Sequence, residues 1–282
     1  MVTVRVLVTV GADGTAAVCD PRQPLLAADD LAAVRGDGVF EMLLVRAGVV
    51  REEQAHLARL GRSAGLLDLR APEPDVWREC LAAVRREWAS DDDLVVRLVL
   101  SRGPDGADTP TAYATGGPVS ATTVRQREYG VSAVCLERGY ASDLSVRAPW
   151  LLLGAKTLSY AVNMSALRHA ASRGAEDVVF TAADGLVLEG PTSTVVVANG
   201  RALRTPPVDT GILAGTTQDA LFRSAVAAGF QCRVEPLRAE ELVAADGVWL
   251  LSSVRLLARV HTLDGVALTD SGLDDELASL LG

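Results

Sequence analysis

Strand-like and helix-like hydrophobic patterns are interleaved through both halves of this chain. That mixture confines it to sheets covered by helices, a mixed α/β (α+β) class. Residues 2–10 alternate as a strand does and run into a glycine turn at 11–14. Residues 38–45 and 49–51 flank Ala47-Gly48 as a hairpin. A helix is expected over about 52–67, with Leu57, Leu60, Ala64 and Leu67 on one face and Arg59 and Arg62 off that stripe. A second helix is expected over about 75–88, and a buried strand over 93–101. Further on, Tyr160, Met164, Leu167 and Ala171 share a helical face that Gly174 stops. Short strands follow at 177–181, 186–188, 194–198 and 201–203, with Asp184-Gly185 and Asn199-Gly200 as hairpin turns, and a helix begins near Thr216.

Residues 103–123 differ in character: rich in Gly, Pro, Thr and Ala, with almost no large apolar side chain. They read as a mobile loop or linker. The expected organisation is a small N-terminal domain over 1–108, an interdomain loop over 109–124 and a larger C-terminal domain over 125–282, which suits a chain of 282 residues.

A formal net charge of −9 argues against nucleic acid as a partner. Cys19, Cys80, Cys135 and Cys232 are far apart, and His56, His169 and His261 equally so, which speaks against a zinc cluster. The N-terminus lacks the basic start and apolar block of a secretion signal, and no run of 18 apolar residues marks a membrane span, so a reduced cytoplasmic protein is expected.

Against that background one residue stands out. Lys156 is the only lysine among 27 Lys and Arg residues. Arginine replaces lysine as a surface cation almost anywhere, but a guanidinium forms no imine with an aldehyde. Lys156 follows the apolar stretch WLLLGA, where desolvation lowers an amine's pKa and so suits Schiff-base chemistry; the plainer reading is a snorkelling lysine at a helix start. Glu189 ends an apolar strand and needs a partner, either a protonated pyridine nitrogen or an arginine. In G-I-L-A-G-T-T-Q-D, Gly215, Thr216 and Thr217 form either a phosphate cradle at a helix start or a capping box of Thr216 with Asp219. Arg59 either adds charge to that phosphate or lies on a solvated helix face.

A lysine, an acid and a phosphate cradle are the parts of a pyridoxal phosphate site, and their order resembles the fold-type IV pyridoxal phosphate enzymes, the class IV aminotransferase family. The segments R-G-D-G-V-F-E (35–41), H-L-A-R-L (56–60), A-K-T-L-S-Y (155–160), E-G-P-T-S-T (189–194) and G-I-L-A-G-T-T (211–217) carry the resemblance in order. It implies a D-amino acid aminotransferase-like fold, with a small N-terminal α/β domain and a larger C-terminal pseudo-barrel domain, and a homodimer. It implies that Lys156 carries pyridoxal 5′-phosphate and shuttles protons. Glu189 then binds the ring nitrogen, Arg59, Thr216, Thr217 and Ser253 the phosphate, and Tyr160 the ring hydroxyl. Thr194 stands where many members have Asn, Thr216 where they have an aliphatic residue and Gln218 where they have a basic one.

The family includes branched-chain aminotransferases, D-amino acid aminotransferases and aminodeoxychorismate lyases, which yield the folate precursor 4-aminobenzoate. L-S-R-G (100–103) resembles the lyases, the R-x-H carboxylate motif of the D-amino acid enzymes is missing, and the stretches around Lys156, Glu189 and Ser253 are similar to actinobacterial lyases. Glu41 in G-D-G-V-F-E points the other way, to aminotransferases. The expectation is a lyase, with a transaminase or dual activity as the alternative. Arg35, Arg102 and Arg255 are candidates to meet the two carboxylates of the small-molecule substrate.

Overall fold

The computed structural model describes residues 4–282, so residues 2 and 3 of the first expected strand lie outside the described residues. The chain forms two compact units. One holds the chain up to Ser120 together with Ala155–Tyr160; the other holds Ala121–Gly154 and Ala161–Gly282.

The first unit is built on six strands, β1 (Val6–Val10), β2 (Ala16–Cys19), β3 (Gly38–Arg46), β4 (Val49–Val50), β5 (Leu94–Ser101) and β6 (Thr111–Pro118). They pair antiparallel in the order β2-β1-β6-β5-β3-β4. A short helix α1 (Leu31–Arg35) precedes β3, and two longer helices, α2 (Glu53–Leu66) and α3 (Pro74–Glu87), pack on the sheet. On α2 the expected apolar stripe is buried, with Leu57 at 7%, Leu60 at 1% and Ala64 at 1% exposed. Beyond the end of its partner β4, one edge of β3 carries the segment around Lys156. Phe40 N–H donates to the Lys156 carbonyl at 3.0 Å, and Leu158 N–H to the Gly38 carbonyl at 2.8 Å. Gly38 must be small here: a Cβ would stand 2.6 Å from the Leu100 carbonyl oxygen and 2.7 Å from Leu158 Cδ1.

The second unit opens with α4 (Ala121–Tyr129) and β7 (Val131–Glu137), followed by α5 (Leu144–Arg147), α6 (Ala161–Ser172), β8 (Asp177–Thr181), β9 (Thr194–Asn199) and β10 (Ala202–Thr205). It continues through α7 (Thr216–Ala227), β11 (Gln231–Val234), α8 (Ala239–Ala244), β12 (Gly247–Ser252), β13 (Leu256–Leu263), β14 (Val266–Ala267) and α9 (Asp274–Leu281). The sheet runs β11-β10-β9-β12-β13-β7-β8, with β14 on β13. It is mixed, parallel at β10–β11, β13–β7 and β7–β8. One face packs Val195, Val197, Val248 and Leu250 with Leu237 and Leu242. The other packs Val196, Trp249 and Leu251 with Leu221, Phe222 and Ala225 of α7 and Leu277 of α9. Both units are mixed α/β with curled sheets, half-barrels, in keeping with the expected class. Among the described residues no helix is long and apolar enough to cross a membrane.

Two expectations need correction. The 109–124 stretch is no loop: it holds β6, a central strand paired to both β1 and β5, and the start of α4. The compact units therefore divide at Ser120, and 155–160 returns to the first. In the expected 186–188 strand, only Leu186 and Val187 are paired, each in an isolated bridge. β6 escaped detection because its inward residues, Ala112, Ala114 and Gly116, are small. At Gly116 the cause is α3 lying close against the strand: a Cβ there would stand 2.5 Å from Val84 Cγ1. Gly116→Ala is expected to cost about 1–3 kcal/mol through overpacking, read as a shift in the denaturant midpoint at unchanged slope.

Candidate active site

In the first unit the site begins on α2. His56, Arg59 and Ser63 sit at helical spacing beside the apolar stripe, yet all three are buried, at 2%, 5% and 2% exposed. What draws His56 and Arg59 in is Glu41 on β3, itself 0% exposed. Arg59 grips Glu41 with both arms of its fork, Nε to Oε1 at 2.6 Å and Nη2 to Oε2 at 2.7 Å. His56 Nδ1 lies 2.8 Å from Oε2. Burial by itself would push the Glu41 carboxyl up; the Arg59 charge and hydrogen bonds, with His56, outweigh it and lower the group to about 2. Arg59 is thus no solvated-face residue. Glu41, which the sequence offered as a sign of aminotransferase chemistry, here anchors Arg59.

One turn beyond Arg59, Ser63 Oγ accepts the backbone N–H of Lys156 at 3.1 Å. Lys156 is pinned on two sides, to β3 and to α2, and is partly buried. Its Nζ lies 4.6 Å from the centre of the Phe40 ring. The Tyr160 ring meets the same Phe40 edge-on at 5.4 Å, so Lys156 and Tyr160 share one aromatic partner.

Two of the three expected substrate arginines also lie in this unit. Arg102 Nε donates to Asp37 Oδ2 at 2.6 Å and Nη2 to the Leu67 carbonyl at 2.6 Å. That fork ties the S-R-G turn to Asp37 and the end of α2. Arg35, at the end of α1, is exposed and makes no hydrogen bond or ion pair among the described residues.

In the second unit, Glu189 is held by two donors. Arg138 Nη1 reaches Oε1 at 2.9 Å, and the Leu213 N–H reaches Oε2 at 3.0 Å. Arg138 in turn lies over the rings of Phe180 and Tyr140, at 5.3 and 5.6 Å. The sequence offered Glu189 a pyridine nitrogen or an arginine; in this structure the arginine is present. Leu213 belongs to the 211–217 turn, so the acid and this turn are joined through a backbone-to-carboxylate bond.

The start of α7 follows directly. Its N-cap is Gly215, with no side-chain cap bond, and Asp219 pairs with Arg223 instead. The capping box of Thr216 with Asp219 is therefore not formed, and the first-turn N–H groups have no intrahelical acceptor. Thr216 and Thr217 are buried there, and Ser253 Oγ comes within 3.4 Å of Thr216 Oγ1. Gly215 allows this start to lie against β9: a Cβ would stand 2.3 Å from Thr194 Oγ1. Arg255, the third expected substrate arginine, is buried and paired with Asp177, Nη1 to Oδ2 at 2.6 Å.

These residues fit pyridoxal 5′-phosphate. A lysine amine on a fixed backbone, a carboxylate with fixed orientation and an uncapped helix start lined by hydroxyls are the kinds of group that its aldehyde, ring nitrogen and phosphate require. Sequence reasoning missed Ser63, Arg138 and the anchoring role of Glu41. For Ser63 a signal existed: 56, 59 and 63 form a polar row at i, i+3 and i+7 on a helix whose neighbouring row is core. Arg138 had none, since Glu189 and Phe180, which hold it in place, lie far from it in sequence.

A model of the family described as amino-transferase class IV matches residues 38–263. A Mycobacterium tuberculosis protein named bifunctional aminodeoxychorismate lyase / D-amino acid transaminase is 49% identical over 275 residues, 94% of each chain. Among solved structures, the PLP-bound form of a hypothetical aminotransferase from Mycobacterium tuberculosis is similar with a TM-score of 0.94 and 48% identity, covering 98% of this chain and 97% of that one. A fold IV-transaminase from Curtobacterium pusillum gives a TM-score of 0.93 at 41% identity, over 98% and 99% of the two chains.

Glu41→Gln leaves the Arg59 cation buried without its counter-charge and is expected to destabilise the protein by on the order of 3 kcal/mol at neutral pH, measured by denaturant unfolding. Because the folded carboxyl lies at about 2 against an ordinary 4.5, its stabilisation is present above the ordinary value and lost as pH falls toward 2. The variant should lack that part of the acid transition. Gly215→Ala should weaken cofactor binding by about tenfold or more, measured by titrating apo-protein, since the new methyl forces the start of α7 away from Thr194.

Proposed function

The chain belongs to the class IV aminotransferase family, and within it we propose that it acts as an aminodeoxychorismate lyase, converting 4-amino-4-deoxychorismate to 4-aminobenzoate and pyruvate. The observation that supports this reading is the similarity along 94% of the chain to the mycobacterial protein named for that activity. The same name includes D-amino acid transamination, which supports a second reading: an aminotransferase acting on D-amino or branched-chain amino acids, alone or beside the lyase activity.

Bound pyridoxal 5′-phosphate supplies an electron sink for negative charge at the substrate carbon that bears the amino group. Lys156 holds it through the side-chain amine and moves the protons. One proton leaves the ring carbon carrying the amino group, the ether bond to the enolpyruvyl group breaks, and one proton is delivered to the departing methylene to give pyruvate. The two products together contain the atoms of the substrate, so neither water nor an amino acceptor is consumed. Glu189 faces the ring nitrogen, with Arg138 and the Leu213 N–H setting its orientation. Arg59, kept in place by Glu41, takes the phosphate with Thr216, Thr217 and Ser253, and Tyr160 takes the ring hydroxyl. Arg35, whose fork is unengaged, is the arginine best suited to a substrate carboxylate; Arg102 would first have to leave Asp37. The working assembly is a cytoplasmic homodimer on this reading.

The decisive assay supplies aminodeoxychorismate with no keto acid. Appearance of 4-aminobenzoate is expected, and Lys156→Ala should reduce its rate on the order of a thousandfold. A chain that yields no 4-aminobenzoate, but exchanges amino groups between D-amino acids and a keto acid, is the transaminase of the second reading.

A further inference from the structure

The hairpin between β12 and β13 turns on three residues, Ser253, Val254 and Arg255, between the paired Ser252 and Leu256. Leu256 closes it at φ +63°, a left-handed conformation unfavourable for a leucine. Such strain persists only where the surroundings over-determine it. Here they do. The Val254 carbonyl accepts from Arg127 Nη2 at 2.5 Å and from Nε at 3.2 Å. Arg255 Nη1 donates to Asp177 Oδ2 at 2.6 Å and reaches Gln126 Oε1 at 3.5 Å. Asp177 opens β8, and its other oxygen accepts the Val178 N–H at 2.8 Å. At the front of the same turn, Ser253 meets Thr216 at the start of α7.

We propose that Arg255 is a positioning residue for Ser253. Together with Asp177 and the Arg127 fork, it holds the strained turn so that the Ser253 hydroxyl stays at the uncapped start of α7, where the cofactor phosphate is taken. This rests on the reading of Ser253 as a phosphate contact, and it replaces the expected role of Arg255 as a substrate-carboxylate ligand. The reason is physical. Arg255 is 6% exposed and Asp177 2%, so a substrate carboxylate would have to displace one that already neutralises the guanidinium, and leave Asp177 buried and unpaired. Arg255 Nε and Nη2 are themselves buried without a hydrogen-bond partner. The guanidinium is packed into the frame and offers no open face to a ligand.

The test compares apo-protein titrated with pyridoxal 5′-phosphate and with pyridoxal, which lacks the phosphate, following the absorbance of the bound aldehyde. The affinity ratio of the two isolates the phosphate's share. Arg255→Met and Asp177→Asn are each expected to weaken pyridoxal 5′-phosphate about tenfold while changing pyridoxal by no more than about twofold. Arg255→Lys keeps the charge and should lose only about threefold; it carries the test where the methionine variant does not fold. Equal weakening of both ligands would reduce Arg255 to a general fold role and overturn the proposal. So would an unchanged ratio with a raised KM for the dicarboxylate substrate, the signature of a carboxylate ligand. Ser253→Ala separates the two layers. If it leaves the ratio unchanged, the phosphate reading of Ser253 fails and the proposal with it. If it lowers the ratio while the Arg255 variants do not, only the positioning role fails.

Discussion

A short backbone pairing organises the first unit. After building most of its second unit's opening elements, the chain returns for six residues, 155–160, and lays Lys156–Leu158 along Gly38–Phe40 of β3. Two backbone hydrogen bonds set the register, and in a strand a slip of one residue would turn Lys156 to the opposite face. The pairing also explains the glycine in the G-D-G-V-F-E segment: at residue 38 the incoming strand and the β5 backbone leave no room for a side chain. The Lys156 backbone is therefore placed by main-chain geometry, and Ser63 adds a third fixed point from α2.

The Glu41–Arg59–His56 cluster builds on the same strand. β3 presents Phe40 beneath the Lys156 amine and, one residue later on the other face, Glu41 toward α2. Alternation along one strand thus serves both the lysine and the arginine. A buried carboxylate is costly unless charge-assisted donors surround it, and here a two-armed arginine supplies them. The consequence is a guanidinium with little freedom, which is the preorganisation an anion-binding group needs.

In the second unit Glu189 and the 211–217 turn are likewise one construction. The Leu213 N–H on Glu189 makes the 211–217 turn a neighbour of the acid, and the turn then enters α7 through Gly215. The β12–β13 hairpin brings Ser253 to the same helix start. The arginine excess is employed throughout this frame: Arg127, Arg138 and Arg255 each hold an oxygen atom that positions something else. That use suits a planar, permanently charged fork.

What the sequence determined by itself was local and chemical. The periodicities of α2, α3, β5 and β9 were legible because each depends on residues within a turn or two. The family was legible because five short segments, around residues 38, 59, 156, 189 and 215, stand in its order. Tertiary structure decided what depends on distant partners. It drew Arg59 into the core through a glutamate 18 residues away, and paired Arg102 with Asp37 and Arg255 with Asp177. It also made a central strand of Thr111–Pro118, whose small residues carry no hydrophobic signal until α3 is laid against them. A side chain's type states what it can bond to; only the fold selects the partner, because burial makes most polar groups find one.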